Sequence, residues 1–393
     1  MAGRVLEPGR VVRLILLLAG LATAGRLQIH CLNVGQGDGT LIVSPTGRRV
    51  LIDAGYDSLG VKKVLPWLDS LGIHALDWVV ATHYHGDHIG GLDEVIADLG
   101  RDSVKQSVLD RGWSYSTSFY DDYVRAAGSK RRTITEGLSL DLGGGAVLTC
   151  VGLNGNHRLS QPFTDPPWSE NDMSVAMRVS YGRFDFSISG DLSGESTEYY
   201  RDIESSVAPE IGPVEVLRVN HHGSAYSSNP FFLATLDPLV SVVSCGENDY
   251  GHPDPGTMSR LRACSQVYQT ADSRGRPVDG DVIITTDGES FVVEGDTYEC
   301  KVGIEESSPP AAYRLPPTTI ISGRILILQS AFCNLQSDIV LTDASGRSVL
   351  TRPLDPSAPG PLSLDLSSLP PGVYLLALRS ASGSTCHRLV LTR

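Results

Sequence analysis

His83, His85, Asp87 and His88 place three imidazoles and a carboxylate within six residues. Neutral imidazole and carboxylate are the donors that hold Zn²⁺ and related divalent ions such as Mn²⁺, so the stretch reads as a metal-binding loop. His83 and His85 stand two apart, and in extended backbone such residues point the same way and can clamp one ion. Asp87 and His88 follow where the chain turns back, in place to hold a second ion. The competing reading is a surface loop whose histidines hold nothing. So dense a cluster argues against it.

Two divalent cations side by side repel unless an anionic group bridges them. Asp191, at the end of Ile188-Ser189-Gly190-Asp191, fits that need; its bland alternative is a turn residue after Gly190. Either His221 or His222 could complete the shell of the second ion. The sequence does not choose between them; His221 is taken as the ligand and His222 as a group that supports it or meets the substrate. Asp38 and Asp53 are expected to accept hydrogen bonds from ring nitrogens and so fix the imidazoles, as metal-bound histidine usually requires. His252, in Gly251-His252-Pro253, is expected to contact a substrate phosphate or protonate a leaving oxygen, or else is a turn histidine. Ser224 is a second phosphate contact. Asp87, His222 and His252 are the residues expected to take a direct part in a hydrolysis in which the ions bring a water's pKa towards neutrality.

These groups need a scaffold that gathers strand ends. Leu76–Ala81 is an apolar run that reads as a buried strand ending at the histidine cluster, and a helix is expected from Leu92. Further strands are expected at Leu27–Val34, Thr40–Val43, Arg49–Ile52, Ala146–Val151, Met173–Val179, Arg183–Ser189, Val214–Val219 and Val240–Ser244, with a helix at Gly60–Leu71. Polar clusters end most of these runs, which is how an active site collects residues on one edge. Alternating strands and helices argue for a layered α/β fold.

The His83–His88 pattern, together with Leu32-Asn33-Val34-Gly35-Gln36-Gly37-Asp38, Leu51-Ile52-Asp53-Ala54-Gly55, Ile188–Asp191 and Val219-Asn220-His221-His222-Gly223-Ser224, resembles the metallo-β-lactamase superfamily, in particular the hydrolase domain of ComEC-type competence proteins. The match runs over roughly residues 26–296. The resemblance implies a four-layer αββα sandwich, two divalent metal ions (Zn or Mn), Asp191 as the bridging carboxylate and a phosphodiester substrate such as single-stranded DNA. Two positions depart from the family pattern. Asn171 stands where many members supply a third histidine to the first ion, which leaves water or the Asn171 amide for that place, and Asn33 stands where this branch usually has aspartate. A lactone or β-lactam hydrolase, and a catalytically silent surface-binding protein, are the competing readings.

The formal charge of −13 argues against broad binding to a nucleic-acid backbone. Residues 1–24 look like a removable signal peptide, with Arg4, Arg10 and Arg13 ahead of the apolar run Leu14–Ala22 and a small-residue site at Ala22-Thr23-Ala24. Its loss, three Arg and one Glu, would move the charge from −13 to −15. The expected location is therefore exported: secreted, periplasmic or on the cell surface. An exported chain can oxidise its cysteines, and Cys245 with Cys264, or Cys333 with Cys386, are the pairings considered. The hydrolase domain is expected over 25–300. The Pro-, Ser- and Glu-rich stretch 301–319 reads as a linker, and 320–393 as a small all-β sandwich of short strands. Asp343-Ala344-Ser345-Gly346-Arg347 and Leu366–Tyr374 resemble the C-terminal sorting domains of exported bacterial proteins. That implies export machinery as a partner.

Overall fold

In chain order the strands β1 (Leu27–Cys31), β2 (Gly39–Val43), β3 (Arg49–Ala54), β4 (Leu76–Val80), β5 (Val104–Asp110) and β6 (Arg131–Thr133) precede β7 (Ser139–Gly143), β8 (Ala146–Gly152), β9 (Ala176–Tyr181), β10 (Phe184–Ile188), β11 (Val216–Arg218), β12 (Val240–Val243) and β13 (Gln266–Gln269). The chain then returns through β14 (Val282–Thr286), β15 (Ser290–Val293) and β16 (Asp296–Glu299). The computed structural model describes residues 25–156, 168–301, 318–321, 325–328, 337–343, 347–354, 362–366, 368–370, 372–380 and 383–391. Two sheets result, one of nine strands in the order β16-β15-β14-β1-β2-β3-β4-β5-β6 and one of seven in the order β13-β12-β11-β10-β9-β8-β7.

The strands are rich in Val, Ile and Leu because both of their faces are covered. The sheets share one apolar core, with Ile29, Ile52 and Val80 from the first meeting Met177, Phe186 and Val242 from the second. The helices α1 (Leu65–Ser70), α2 (Gly86–Ile89), α3 (Leu92–Leu99) and α4 (Ser118–Ala127) cover the far face of the first sheet. There Leu68, Val95 and Tyr123 pack with Leu41, Leu51 and Val79. The helices α5 (Glu204–Ile211), α6 (Pro230–Leu236) and α7 (Pro255–Cys264) cover the second sheet in the same way, through Val207, Phe232 and Leu261. This is the four-layer αββα sandwich the sequence implied.

The order matters for function because β3 to β6 run parallel, as do β10 to β13. Loops leaving the carboxyl ends of parallel strands gather on one edge of a sheet. Asp53, the His83–His88 cluster, Asp191, His221-His222 and His252 all leave such ends.

Several boundaries moved. The single helix expected at Gly60–Leu71 is a wide π-type turn at Gly60–Val64 followed by α1. Pro66 explains the break, since a residue without an N–H fits only the first turn of an α-helix. The first strand stops at Cys31 rather than Val34, and Met173 lies in a short turn before β9. No disulfide joins Cys245 and Cys264; both are free thiols, as are Cys31, Cys150 and Cys300. Cys245 Sγ turns to the His252 carbonyl at 3.2 Å, while Cys264 Sγ turns back on the Leu261 carbonyl of its own helix at 3.4 Å.

The chain divides after Lys301 into a second compact unit. Its described strands are β17 (Thr318–Ile321), β18 (Ile325–Leu328), β19 (Ser337–Asp343), β20 (Ser348–Leu354), β21 (Leu362–Asp365), β22 (Gly372–Ser380) and β23 (Gly383–Leu391). They form a five-stranded sheet, β17-β23-β22-β19-β20, and the pair β18-β21, so among the described residues the unit is all-β. Thr318 and Thr319 belong to a strand rather than to the expected linker. The expected leader over 1–24, residues 302–317 and Cys333 lie outside the described residues. Among the described residues, no helix is long and apolar enough to cross a membrane.

Candidate metal centre

After β4 the chain bends at Thr82 and His83, is extended at His85 (φ −67°, ψ 149°), then winds into the single turn of α2. This segment sets His83 and His85 against one another, with His83 Nε2 3.1 Å from His85 Nδ1. The helical turn swings Asp87 and His88 to the other side. Asp191, at the end of β10, reaches between them: Oδ2 is 3.9 Å from His83 Nε2 and Oδ1 is 3.2 Å from His88 Nε2. His222 Nε2 closes the second group, 3.3 Å from Asp87 Oδ2 and 3.5 Å from Asp191 Oδ2. Two sets of donor atoms follow, His83, His85 and Asp191 in one and Asp87, His88, Asp191 and His222 in the other, each lying within 4.8 Å of one another. Asp191 is common to both.

Backbone irregularities aim these side chains. Gly39 pairs with Ala54 and Thr40 with Ile52, so Asp53 is bulged out of the ladder, with φ +56°. Such a bulge re-aims a side chain. The Asp53 carboxylate accepts from the Thr82 N–H at 2.9 Å and hydroxyl at 2.6 Å, and meets His88 Nδ1 at 2.8 Å. His221 and His222 are both left-handed, at φ 51° and 54°. That conformation costs about 1–2 kcal/mol per residue outside glycine, and it turns two neighbouring rings into the same cavity. His222 Nδ1 lies 3.3 Å from Asp38 Oδ1 and 3.1 Å from the Ser244 carbonyl, and Asp38 is itself paired with Arg218 at 2.6 Å. Gly37 has φ +133°, and a Cβ on it would sit 2.3 Å from the Asp87 carbonyl oxygen. The loop carrying Asp38 can therefore press on the Asp87 turn only with glycine there.

Residues 32–127 match the family model of the metallo-beta-lactamase superfamily. The chain carries a metallo-β-lactamase domain. ComE operon protein 3 of Bacillus subtilis is homologous to it, 29% identical over 266 residues, which are 63% of this chain and 32% of that protein. Competence protein ComA of Neisseria gonorrhoeae is 26% identical over 261 residues, again 63% of this chain and 32% of the relative. The chain thus spans about a third of the length of these curated relatives. Among solved structures, the metallo-beta-lactamase fold protein YhfI of Bacillus subtilis is similar at 12% identity with a TM-score of 0.40, covering 66% of this chain and 99% of that one. Residues 322–392 match a second family model, the secretion system C-terminal sorting domain.

The donor atoms of the metallo-β-lactamase domain fit divalent ions on an observation of their own. His88 Nε2, Asp191 Oδ1 and His222 Nε2 are all buried without a hydrogen-bond partner, yet they converge on one point. Burial of polar atoms without partners is unfavourable unless a ligand satisfies them. Burial holds His83 well below its ordinary value, so its ring stays neutral. Burial alone would also lower His88, but the carboxylates of Asp191, Asp53 and Asp87 hold it well above. Against the cost of its own burial, Asp191 is kept well below the carboxylate range by His88, His222 and His221. Burial alone would lower His222 too, but Asp191, Asp38 and Asp87 hold it well above, so both rings face carboxylate charge of the kind a cation would balance.

The two rings of the paired histidines lie against different neighbours. His222 Nε2 lies with the donor atoms of Asp87, His88 and Asp191. His221 Nε2 lies 3.8 Å from Asp191 Oδ2 and 3.1 Å from Asn171 Nδ2, on the side of the first group. His252 stands outside both groups, its ring 5.2 Å from that of His221, and burial pushes it down to about 4. Ser224 lines the same cavity, which has a volume of about 610 Å³.

Two features escaped sequence reasoning. Glu170, next to Asn171, accepts the Tyr84 N–H at 2.8 Å and binds Arg111 through both oxygens at 2.9 and 2.6 Å. This buried pair anchors the backbone between His83 and His85. Its two partners are 59 residues apart, and no local pattern links them. The other feature is the aromatic lining of the cavity, contributed by isolated residues of several loops and of α4.

Proposed function

We propose that the protein is an exported metal-dependent phosphodiesterase. The observation that carries this reading is the sharing of Asp191 by two groups of inward-facing donors. His83, His85 and Asp191 would hold one divalent ion, and Asp87, His88, Asp191 and His222 the other. When bound, such ions neutralise developing charge on a substrate oxygen and acidify a water. Asp53 and Asp38 keep His88 and His222 turned towards the second ion through their Nδ1 atoms. His221, His252 and Ser224 border the cavity as hydrogen-bonding groups for phosphate oxygens, His252 as a neutral ring because burial pushes it down to about 4. Similarity to competence proteins supports phosphodiester chemistry over amide or lactone chemistry, and single-stranded DNA is the polymer to try. The sorting domain supports action outside the cell or at its surface, with a secretion system as partner.

Net acidity favours the second reading, an uncharged lactone or β-lactam substrate. A panel of a model phosphodiester, single-stranded DNA, a lactone and a β-lactam, assayed with Zn²⁺- or Mn²⁺-loaded protein, separates them. Phosphodiester turnover abolished by chelation supports the proposal, and turnover confined to carbonyl substrates overturns it.

A further inference from the structure

The cavity over the metal centre is built largely of aromatic rings. Tyr56 and Tyr115 enter it from loops of the nine-stranded half and Phe119 from the first turn of α4, and Tyr200, Tyr226 and Tyr250 enter from loops of the seven-stranded half. The first set adjoins a donor group, with the Tyr115 ring 6.2 Å from His85, and the second adjoins the histidines bordering the cavity, with Tyr200 5.8 Å from His221 and Tyr250 5.7 Å from His252. Tyr56 and Phe119 lie 6.3 Å apart, and Tyr200 and Tyr226 lie 5.3 Å apart. Tyr226 and Tyr250 are 42% and 69% exposed, a large aromatic area to leave in water beside a reacting centre.

The charge of the lining is equally distinctive. Among the described residues that line the cavity there is neither lysine nor arginine, while Asp87, Asp191 and Asp254 are present. Among the described residues, Arg111, Arg131 and Arg218 nearby are paired with Glu170, Asp110 and Asp38. One phosphate can be neutralised by the metal centre itself. A second or third phosphate of a strand would meet carboxylates, and polyanion binding depends on lysine and arginine contacts.

Resting on the phosphodiesterase reading above, we infer that the substrate is a small phosphodiester with a single negative charge and a flat ring on each side of the phosphate, such as a dinucleoside monophosphate, in preference to a long strand. Aromatic faces take up such rings by stacking without regard to their hydrogen-bonding pattern.

The test uses the full chain loaded with Zn²⁺ or Mn²⁺ and two substrates with the same leaving group, bis(p-nitrophenyl) phosphate and methyl p-nitrophenyl phosphate. The expected KM is roughly tenfold lower for the two-ring compound. Tyr200→Ala and Tyr250→Ala should bring the two KM values together with kcat retained, and Tyr200→Phe should keep them apart. Binding of thymidylyl-thymidine and of a single strand of about twenty nucleotides, followed by tyrosine fluorescence, gives a readout free of turnover. Tighter binding of the dinucleoside, weakened by the alanine variants, supports the inference even if no phosphodiester is cleaved, in which case only the phosphodiesterase reading fails. Equal KM values in the unmodified protein, or tighter binding of the strand, overturn the inference while leaving phosphodiesterase activity intact.

Discussion

Asp191 meets four imidazoles, those of His83, His88, His221 and His222, within 3.9 Å. No other side chain can stand in for it, because it is the member common to both donor groups. Asp191→Ala, and Asp87→Ala beside it, should abolish hydrolysis while circular dichroism remains that of the parent, since each removes a charged metal donor and not a core group. Normal turnover with unchanged metal content in either variant would contradict the two-metal reading. The paired histidines give a sharper contrast. His222→Ala should lose about one bound ion per chain by elemental analysis, and His221→Ala should keep its metal and lose turnover. The density of His83–His88 was legible because all its members lie in one short stretch. Which of His221 and His222 faces the Asp87 turn was not, since that depends on two left-handed residues that no sequence pattern announces.

At the level of elements, the site depends on loops pressed against one another. Gly37→Ala forces a methyl to within 2.3 Å of the Asp87 carbonyl oxygen. It should lower stability by about 1–3 kcal/mol and reduce metal affinity, read by denaturant unfolding and by metal titration. The Arg111–Glu170 pair, with both side chains at most 1% exposed, ties Tyr84 to the segment carrying Asn171. Removing one partner leaves the other charge buried, so Arg111→Ala should cost about 3–5 kcal/mol in unfolding free energy. The strand ends were legible as apolar runs broken by polar clusters, and the parallel register that brings those ends to one edge follows from alternating strands and helices. The buried ion pair and the aromatic walls were not, because their members are isolated residues that only the folded chain brings together. Pro66 was visible in the sequence, and its power to split the expected helix is a matter of where in a helix proline can stand.

On the scale of the whole molecule, the chain joins a metal-site domain to an all-β unit that matches a sorting domain over residues 322–392. The two units divide after Lys301. A chain ending at Lys301 should therefore retain metal binding but fail to reach the medium or the cell surface in a host with the matching secretion system, as read by fractionation. An acidic chain of net charge −13 is also a poor partner for duplex DNA at a distance, so any activity on nucleic acid must come from local capture at the metal centre. The most direct test of the account is the rate of phosphodiester hydrolysis by the purified full chain, stripped of metal and then restored with Zn²⁺ or Mn²⁺, beside a lactone and a β-lactam. The account predicts phosphodiester cleavage that disappears on stripping and returns with the ion. Efficient turnover of the lactone or β-lactam with the phosphodiester left untouched would contradict it.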